Sequence, residues 1–154
     1  MTPSTQRLAP SETRILICDE LSEIAVETFR ANGFSPEVCT GLSEDELVAT
    51  IPGAHAMVVR SATKVTRRVI EAADEMRVIG RAGVGIDNVD RQAATENGII
   101  VMNTPLGNTV TTAELAISLI CSLSRHIPKA DRRTRTGNWK KKGLMGTELT
   151  GKTL

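Results

Sequence analysis

Two arginines, Arg60 and Arg81, each follow a short β-rich run, Ala56-Met-Val-Val59 and Arg77-Val-Ile79. In a parallel sheet, ligands bind in the crevice beyond the carboxyl ends of the strands, so both guanidinium groups are expected to reach one crevice. A planar guanidinium pairs bidentately with carboxylate or phosphate and keeps its charge at any working pH. Two of them suit a small dianionic ligand; the other reading is a pair of surface arginines held by nearby acids. Ser61 and Gly83 adjoin the arginines and would bring a hydroxyl and a backbone N–H to the same anion.

The glycine cluster Gly80-Arg-Ala-Gly83-Val-Gly85 lies between a strand and a helix but does not complete a dinucleotide-binding turn. The fingerprint G-x-G-x-x-G needs a glycine where Asn88 stands. Asp87 and Asp90 would also repel a pyrophosphate seated on the next helix N-terminus. A phosphate-binding P-loop is missing too, since Gly151-Lys-Thr153 lacks the upstream glycine. The stretch Asn103-Thr-Pro-Leu-Gly107-Asn108 leaves the last strand at the same end of the sheet, to touch a ligand or to cap the helix that follows. His55 and His126, the two histidines, belong to no recognisable triad, and no His/Cys/Asp spacing points to a metal. The chain shows a binder's equipment and no evident catalytic acid–base residue.

The elements that would position these residues alternate regularly. Strands are predicted at 14–18, 37–39, 56–59, 77–79 and 99–102, and helices at 22–31, 43–51, 66–73 and 88–96, with short connections marked by glycine. Such alternation predicts an α/β domain whose five-stranded, mostly parallel sheet carries helices on both faces. Ser43-Glu-Asp-Glu46 is a capping box. Residues 112–125 are apolar nearly all round, with Thr111 and Glu114 at capping-box spacing; a helix without a polar face is expected to be buried between layers, domains or subunits. Pro128 interrupts it, and a short basic helix follows at 129–136.

Bulk properties narrow the class. The chain has 154 residues and a net charge of +1, so no global field draws it to nucleic acid or an anionic membrane. Lys129, Arg132, Arg133, Arg135, Lys140, Lys141 and Lys142 form a locally basic stretch that reads as a solvated helix face and loop. One Trp, two Phe and no Tyr leave no stacking platform for single-stranded nucleic acid. Cys18, Cys39 and Cys121, each inside an apolar run, are expected to be buried thiols in a reducing compartment. Residues 1–13 read as a flexible tail without a signal-peptide core, and no run is long enough to span a membrane, so a cytoplasmic protein is expected.

Taken together, Val59-Arg-Ser-Ala-Thr-Lys-Val-Thr66, Gly80-Arg-Ala-Gly-Val-Gly-Ile-Asp-Asn-Val-Asp90 and Val101-Met-Asn-Thr-Pro-Leu-Gly-Asn108 closely resemble the N-terminal half of the phosphoglycerate dehydrogenase group of D-isomer-specific 2-hydroxyacid dehydrogenases. Ala113-Glu114 and Met145-Gly-Thr-Glu-Leu-Thr-Gly-Lys-Thr-Leu154 extend the likeness over nearly the whole chain. The resemblance implies a flavodoxin-like substrate-binding domain over 14–107, an interdomain helix over 108–128, and a short helix and linker over 129–154. It implies the NAD-dependent oxidation of 3-phosphoglycerate to 3-phosphohydroxypyruvate, the first step of serine synthesis. Arg60, Ser61, Arg81 and Gly83 fall on positions that meet the substrate. Val84 falls where the nicotinamide approaches, often Thr in relatives, and Asn108 lies on a loop beside the cleft.

In such relatives the stretch like 149–154 leads into the nucleotide-binding (Rossmann) domain, and the catalytic Arg, Glu and His come later still. The 154 residues are therefore expected to be an N-terminal portion that does not turn over alone. Homo-oligomers would form through the 109–127 helix. Two other readings stand beside this one: another member of the family, such as a glyoxylate or hydroxypyruvate reductase, and a non-catalytic module that senses small anions or pairs with full-length subunits. A receiver-type signalling domain ranks below both, because Asp19-Glu20 is the only acidic pair at the end of the first strand.

Overall fold

The computed structural model describes residues 8–153. Five strands, β1 (Ile15–Ile17), β2 (Glu37–Val38), β3 (Ala56–Val59), β4 (Val78–Arg81) and β5 (Ile100–Asn103), pair in parallel in the order β2-β1-β3-β4-β5. Between them run α1 (Glu23–Ala31), α2 (Glu44–Thr50), α3 (Arg67–Glu71) and α4 (Arg91–Glu96). This is the flavodoxin-like order, in which the direction of strand addition reverses between β1 and β3. The described residues divide into two compact units, one up to Gly107 and one from Asn108 onward.

In the first unit the strand register sorts the sheet into two faces. Leu16, Met57 and Ile79 align across β1, β3 and β4 and are fully buried, packing with Leu47 and Ile51, Val69 and Ile70 of the α3 turn, and Ala93 and Ala94 of α4. The alternate residues Ala56, Val58, Val78 and Gly80 are half-buried, and on edge strand β5 their row ends in exposed Ile100 and Met102. The strongest local start signal is Ser43: its Oγ accepts from the Glu46 N–H, while the Glu46 carboxylate accepts the Ser43 N–H at 2.8 Å. The Ser43 hydroxyl also donates to the Glu46 carboxylate at 2.7 Å, and this bond first, with the one from the Ser43 N–H, holds that carboxyl below its ordinary range.

Several boundaries move for local reasons. The helix expected from residue 88 begins at Arg91, because Asp90 is its N-cap and accepts the Ala93 N–H at 2.9 Å. The stretch expected as a tail over 1–13 carries a 3-10 turn at Pro10–Glu12, where the Glu12 carboxylate accepts the Ala9 N–H; residues 1–7 lie outside the described residues. Gly33, at φ +85°, ends α1 with its backbone against the Pro10 ring.

In the second unit, α5 (Thr109–Ser124) and α6 (Ile127–Arg135) meet at His126, whose φ of 52° is left-handed. The interruption lies there and not at Pro128, which sits in the first turn of α6, where its missing N–H costs nothing. Helix α5 starts at Thr109, so Thr111 lies inside it and forms no capping box with Glu114. It has no buried residue: Leu115, Ile117, Leu119 and Leu123 are all more than half exposed, so the expected burial is not met within this chain. Cys121 is likewise exposed and Cys39 half-buried, which leaves Cys18 as the one fully buried thiol expected of the three. The segment after α6 has no periodicity but is tied down. Thr147 N–H donates to the Ser124 carbonyl at 2.8 Å, and Gly146 passes so close to that carbonyl that a Cβ would overlap it.

Candidate functional site

The reversal point between β1 and β3 is where a sheet of this topology leaves a crevice, because neighbouring connections diverge to opposite faces. A cavity of about 400 Å³ opens there, lined by Asp19 and Glu20 after β1, Thr40 and Gly41 after β2, and Arg60, Ser61 and Ala62 after β3. Arg60 and Ser61 thus share one cavity. Arg81 does not line it. It lines a smaller, mostly apolar cavity with Val58, Gly80, Ala82, Met102, Asn103 and Thr104. The two arginines remain close in the backbone, since Val59 pairs with Arg81 and the Ala82 N–H donates to the Val59 carbonyl at 2.8 Å.

What fixes the Arg60 loop is a carboxylate that the sequence did not single out for this purpose. Asp19 is buried, and its oxygens accept the Arg60 N–H, the Thr63 N–H at 3.2 Å and the Thr63 hydroxyl at 2.9 Å. A carboxylate satisfied by several donors is a strong anchor, and removing it would leave those donors buried and unpaired. From the other side, buried Asn88 donates through Nδ2 to the carbonyls of Arg60 and Thr63, both at 2.7 Å. The Val65 N–H donates to the Asn88 carbonyl, and Val65 bridges Val89 in parallel fashion. The residue that breaks the glycine fingerprint is therefore the one that joins the 60–65 loop to the 84–90 loop. The Arg60 side chain lies exposed, with Nη1 donating to the Glu20 carbonyl at 3.3 Å.

The Gly83 backbone is engaged within its own turn. Its N–H already donates to the Arg81 carbonyl at 2.8 Å, and its carbonyl accepts the Thr104 N–H at 3.0 Å. A Cβ at Gly83 would overlap the Arg81 guanidinium, so glycine leaves room for that group. The Arg81 Nε is buried without a hydrogen-bond partner. Val84 is exposed on the following loop, and Asn103 Nδ2 donates to its carbonyl at 2.7 Å. Asn108 belongs to the second unit, where it is the exposed N-cap position of α5 without a side-chain capping bond.

Two other sets of titratable groups serve structure. His55, before β3, accepts the Arg14 N–H through Nδ1 at 3.1 Å and meets Glu75 through Nε2 at 2.9 Å, at the sheet end opposite the cavity. Arg14 forms a two-pronged pair with Glu37, both contacts at 2.9 Å. Hydrogen bonding lowers the Glu37 carboxyl below its usual range and raises Arg14. No group of three or more His, Cys, Asp or Glu among the described residues could hold a metal ion.

Fold order, the anchored arginine loop and the motif blocks agree with a family model described as D-isomer specific 2-hydroxyacid dehydrogenase, catalytic domain, which matches residues 15–151. The chain belongs to that family. Among its relatives, D-3-phosphoglycerate dehydrogenase of Archaeoglobus fulgidus is 50% identical over 140 residues, covering 91% of this chain and 27% of the relative. The Homo sapiens enzyme of the same name is 46% identical over 141 residues, covering 92% and 26%. The chain thus spans about a quarter of the length of these relatives. Among solved structures, the TT0316 protein of Thermus thermophilus gives a TM-score of 0.77 at 31% identity, covering 90% of this chain and 46% of that one. An NAD+-bound 3-phosphoglycerate dehydrogenase of Entamoeba histolytica gives 0.68 at 26% identity, covering 90% and 44%.

Proposed function

We propose that this chain is the substrate-binding part of an NAD-dependent D-3-phosphoglycerate dehydrogenase. The observation that carries the reading is the Arg60–Ser61 loop, fixed by Asp19 and Asn88 at the strand-order reversal, with its guanidinium at the mouth of a cavity of small-molecule size. With the backbone already held, only the guanidinium side chain has to be ordered when it grips a phosphate or carboxylate. Arg81, with a buried Nε lacking an acceptor, is the second cation for a ligand that carries two anionic groups. The relatives named D-3-phosphoglycerate dehydrogenase select the phosphorylated acid among 2-hydroxyacids.

NAD is the cofactor that the family reading implies, and the described residues do not fit its pyrophosphate. Asn88 fills the place of the third glycine and its side chain is spent on the Arg60 loop. Of the residues present, Val84 would border the nicotinamide, by packing alone since it has no hydroxyl, and Asn108 would lie near the cleft. His55 lies at the sheet end opposite the cavity, and the described residues offer no seat for the pyrophosphate, so the role proposed for these residues is substrate binding and not hydride transfer. Exposed apolar residues along α5 support a homo-oligomer through residues 109–127.

Titration calorimetry with 3-phosphoglycerate and with glycerate tests the reading. Arg60→Ala should weaken 3-phosphoglycerate about tenfold or more, as loss of a charged hydrogen bond worth roughly 1.5–3 kcal/mol implies, and change glycerate much less. Equal weakening of both ligands would refute the phosphate assignment. NAD-dependent oxidation of 3-phosphoglycerate by the 154-residue chain would refute the division between binding and catalysis.

A further inference from the structure

Two thiols meet beneath the Arg60 cavity, and the binding reading uses neither. Cys18 follows β1 and Cys39 follows β2, with their Sγ atoms 3.8 Å apart. Ile17 pairs with Val38 and accepts the Cys39 N–H at 2.9 Å, so the ladder carries the two cysteines into facing positions. Facing residues on neighbouring strands sit about 4.8 Å apart, inside the roughly 4.4–6.8 Å Cα separation that a disulfide spans. Contact at 3.8 Å leaves about 1.8 Å to close to a bond of roughly 2.05 Å, a distance that side-chain rotation can supply. Cys39 is free to make it, because β2 is a two-residue edge strand and Cys39 is only half-buried.

We propose that Cys18 and Cys39 form a reversible disulfide, a modification site that joins two walls of the Arg60 cavity. This goes beyond the binding reading, because the chemistry of the pair does not depend on what the cavity holds. The oxidant is a hydroperoxide, of which hydrogen peroxide is the simplest. Cys39 meets it first, since Cys18 is 1% exposed. The Cys39 sulfur, as thiolate, attacks one peroxide oxygen and the O–O bond breaks. Cys39 becomes a sulfenic acid, and the departing hydroxide takes up the proton that Cys39 had released. The Cys18 sulfur then attacks the sulfenic sulfur; the S–S bond forms, the S–O bond breaks, and hydroxide leaves with the Cys18 proton as water. Two thiols are oxidised and one peroxide is reduced to two waters. Burial, and secondarily the neighbouring Cys39 and Asp19, push the Cys18 thiol up, which assigns it the resolving role and leaves the first attack to Cys39.

The link would act on the cavity directly. Asp19 and Glu20 follow Cys18 in sequence, and Thr40 and Gly41 follow Cys39; all four line the cavity with Arg60. Asp19 also holds the Arg60 and Thr63 amides, so a shift of the Cys18 backbone reaches the arginine loop through one carboxylate.

The test uses the 154-residue chain with exposed Cys121 replaced, Cys121→Ser, to prevent links between molecules. Hydrogen peroxide treatment, alkylation under denaturing conditions and unreduced peptide mapping should yield a Cys18–Cys39 peptide lighter by two hydrogens. A dithiol should reverse it. The amide resonances of Arg60 and Thr63 should shift on oxidation and return on reduction. Adding Cys39→Ser should abolish the linked peptide and leave Cys18 fully alkylatable. The parent chain under the same protocol supplies the same linked peptide if either variant folds poorly. Accumulation of Cys39 as sulfinic acid while Cys18 stays alkylatable would overturn the proposal. So would a linked peptide that forms with no change at the Arg60 and Thr63 amides.

Discussion

The two units of this chain spend their apolar residues in opposite ways. Every buried hydrophobic among the described residues precedes residue 100; most gather on one side of the sheet under three short helical segments, with Ile15 and Ile17 of β1 buried on the other face. Helix α5 is at least as apolar in sequence, yet Leu119 is 53% exposed and Leu123 73%. Apolar content therefore does not by itself indicate burial. A strand or helix buries its side chains only where the topology brings a second layer over them, and α5 has no such layer within these residues. The first unit is a closed core with the proposed binding rim; the second presents an apolar surface of the kind that marks association.

The contrast is tested most severely by paired truncations. Ile79→Ala, at a fully buried position, should cost about 2–5 kcal/mol in urea unfolding, whereas Leu119→Ala should change the free energy by no more than roughly 0.5 kcal/mol at dilution. Equal costs would mean that α5 is covered after all. Next in size is Asp19→Ala, which strands the donors of Arg60 and Thr63 and should cost on the order of 1–3 kcal/mol, together with anion affinity. An unchanged unfolding midpoint would show that the rim does not depend on this anchor. Ser43→Ala should remove about 1 kcal/mol by uncapping α2, read in the same denaturation series, while ligand affinity stays as it was.

The smallest effect is acid-dependent. Because Arg14 lowers the Glu37 carboxyl, the pair contributes fully above the ordinary glutamate value near 4.3, and the contribution disappears as pH falls through the lower folded value. Both side chains are substantially exposed, at 32% and 52%, so screening limits the gain to tenths of a kcal/mol. The difference in unfolding midpoint between the parent chain and Glu37→Gln should be present near about pH 7 and shrink steadily as the pH is lowered past the ordinary glutamate value. A difference that grows on acidification would contradict the pairing.

Most of the fold could be read from the sequence because its signals are local. Alternating strand and helix patterns, the Ser43 capping box and the glycine stops each need only a few neighbouring residues. Arg60 and Ser61 were found by the same logic, as polar residues just past a strand. Asp19 and Asn88 were not, because their partners lie far away: Asp19 is 41 residues from Arg60, and Asn88 is 28 from the carbonyl it holds. A signal was present at Asn88, where the glycine fingerprint fails and a polar residue stands at the gap. The fate of the Gly83 N–H was equally hidden, since only the fold of the 81–83 turn shows that it is already used. The apolar pattern alone placed the start of α5 too late, because Thr111 and Glu114 have capping spacing but the chain had already turned helical at Thr109, where the family resemblance put the helix.

The doubly held Arg60 loop has a consequence in time. Arg60, Ser61 and Ala62 are exposed, yet the amides of Arg60 and Thr63 are bonded to a carboxylate on the end of a central strand. Their exchange with deuterium should therefore keep pace with the amides of β3 and not with those of an ordinary surface turn, since releasing them requires opening the sheet end itself. A rim that exchanges on the clock of the core would meet each incoming anion already set in shape, and discrimination between ligands would then be decided by fit and charge, with no slow closure to wait for.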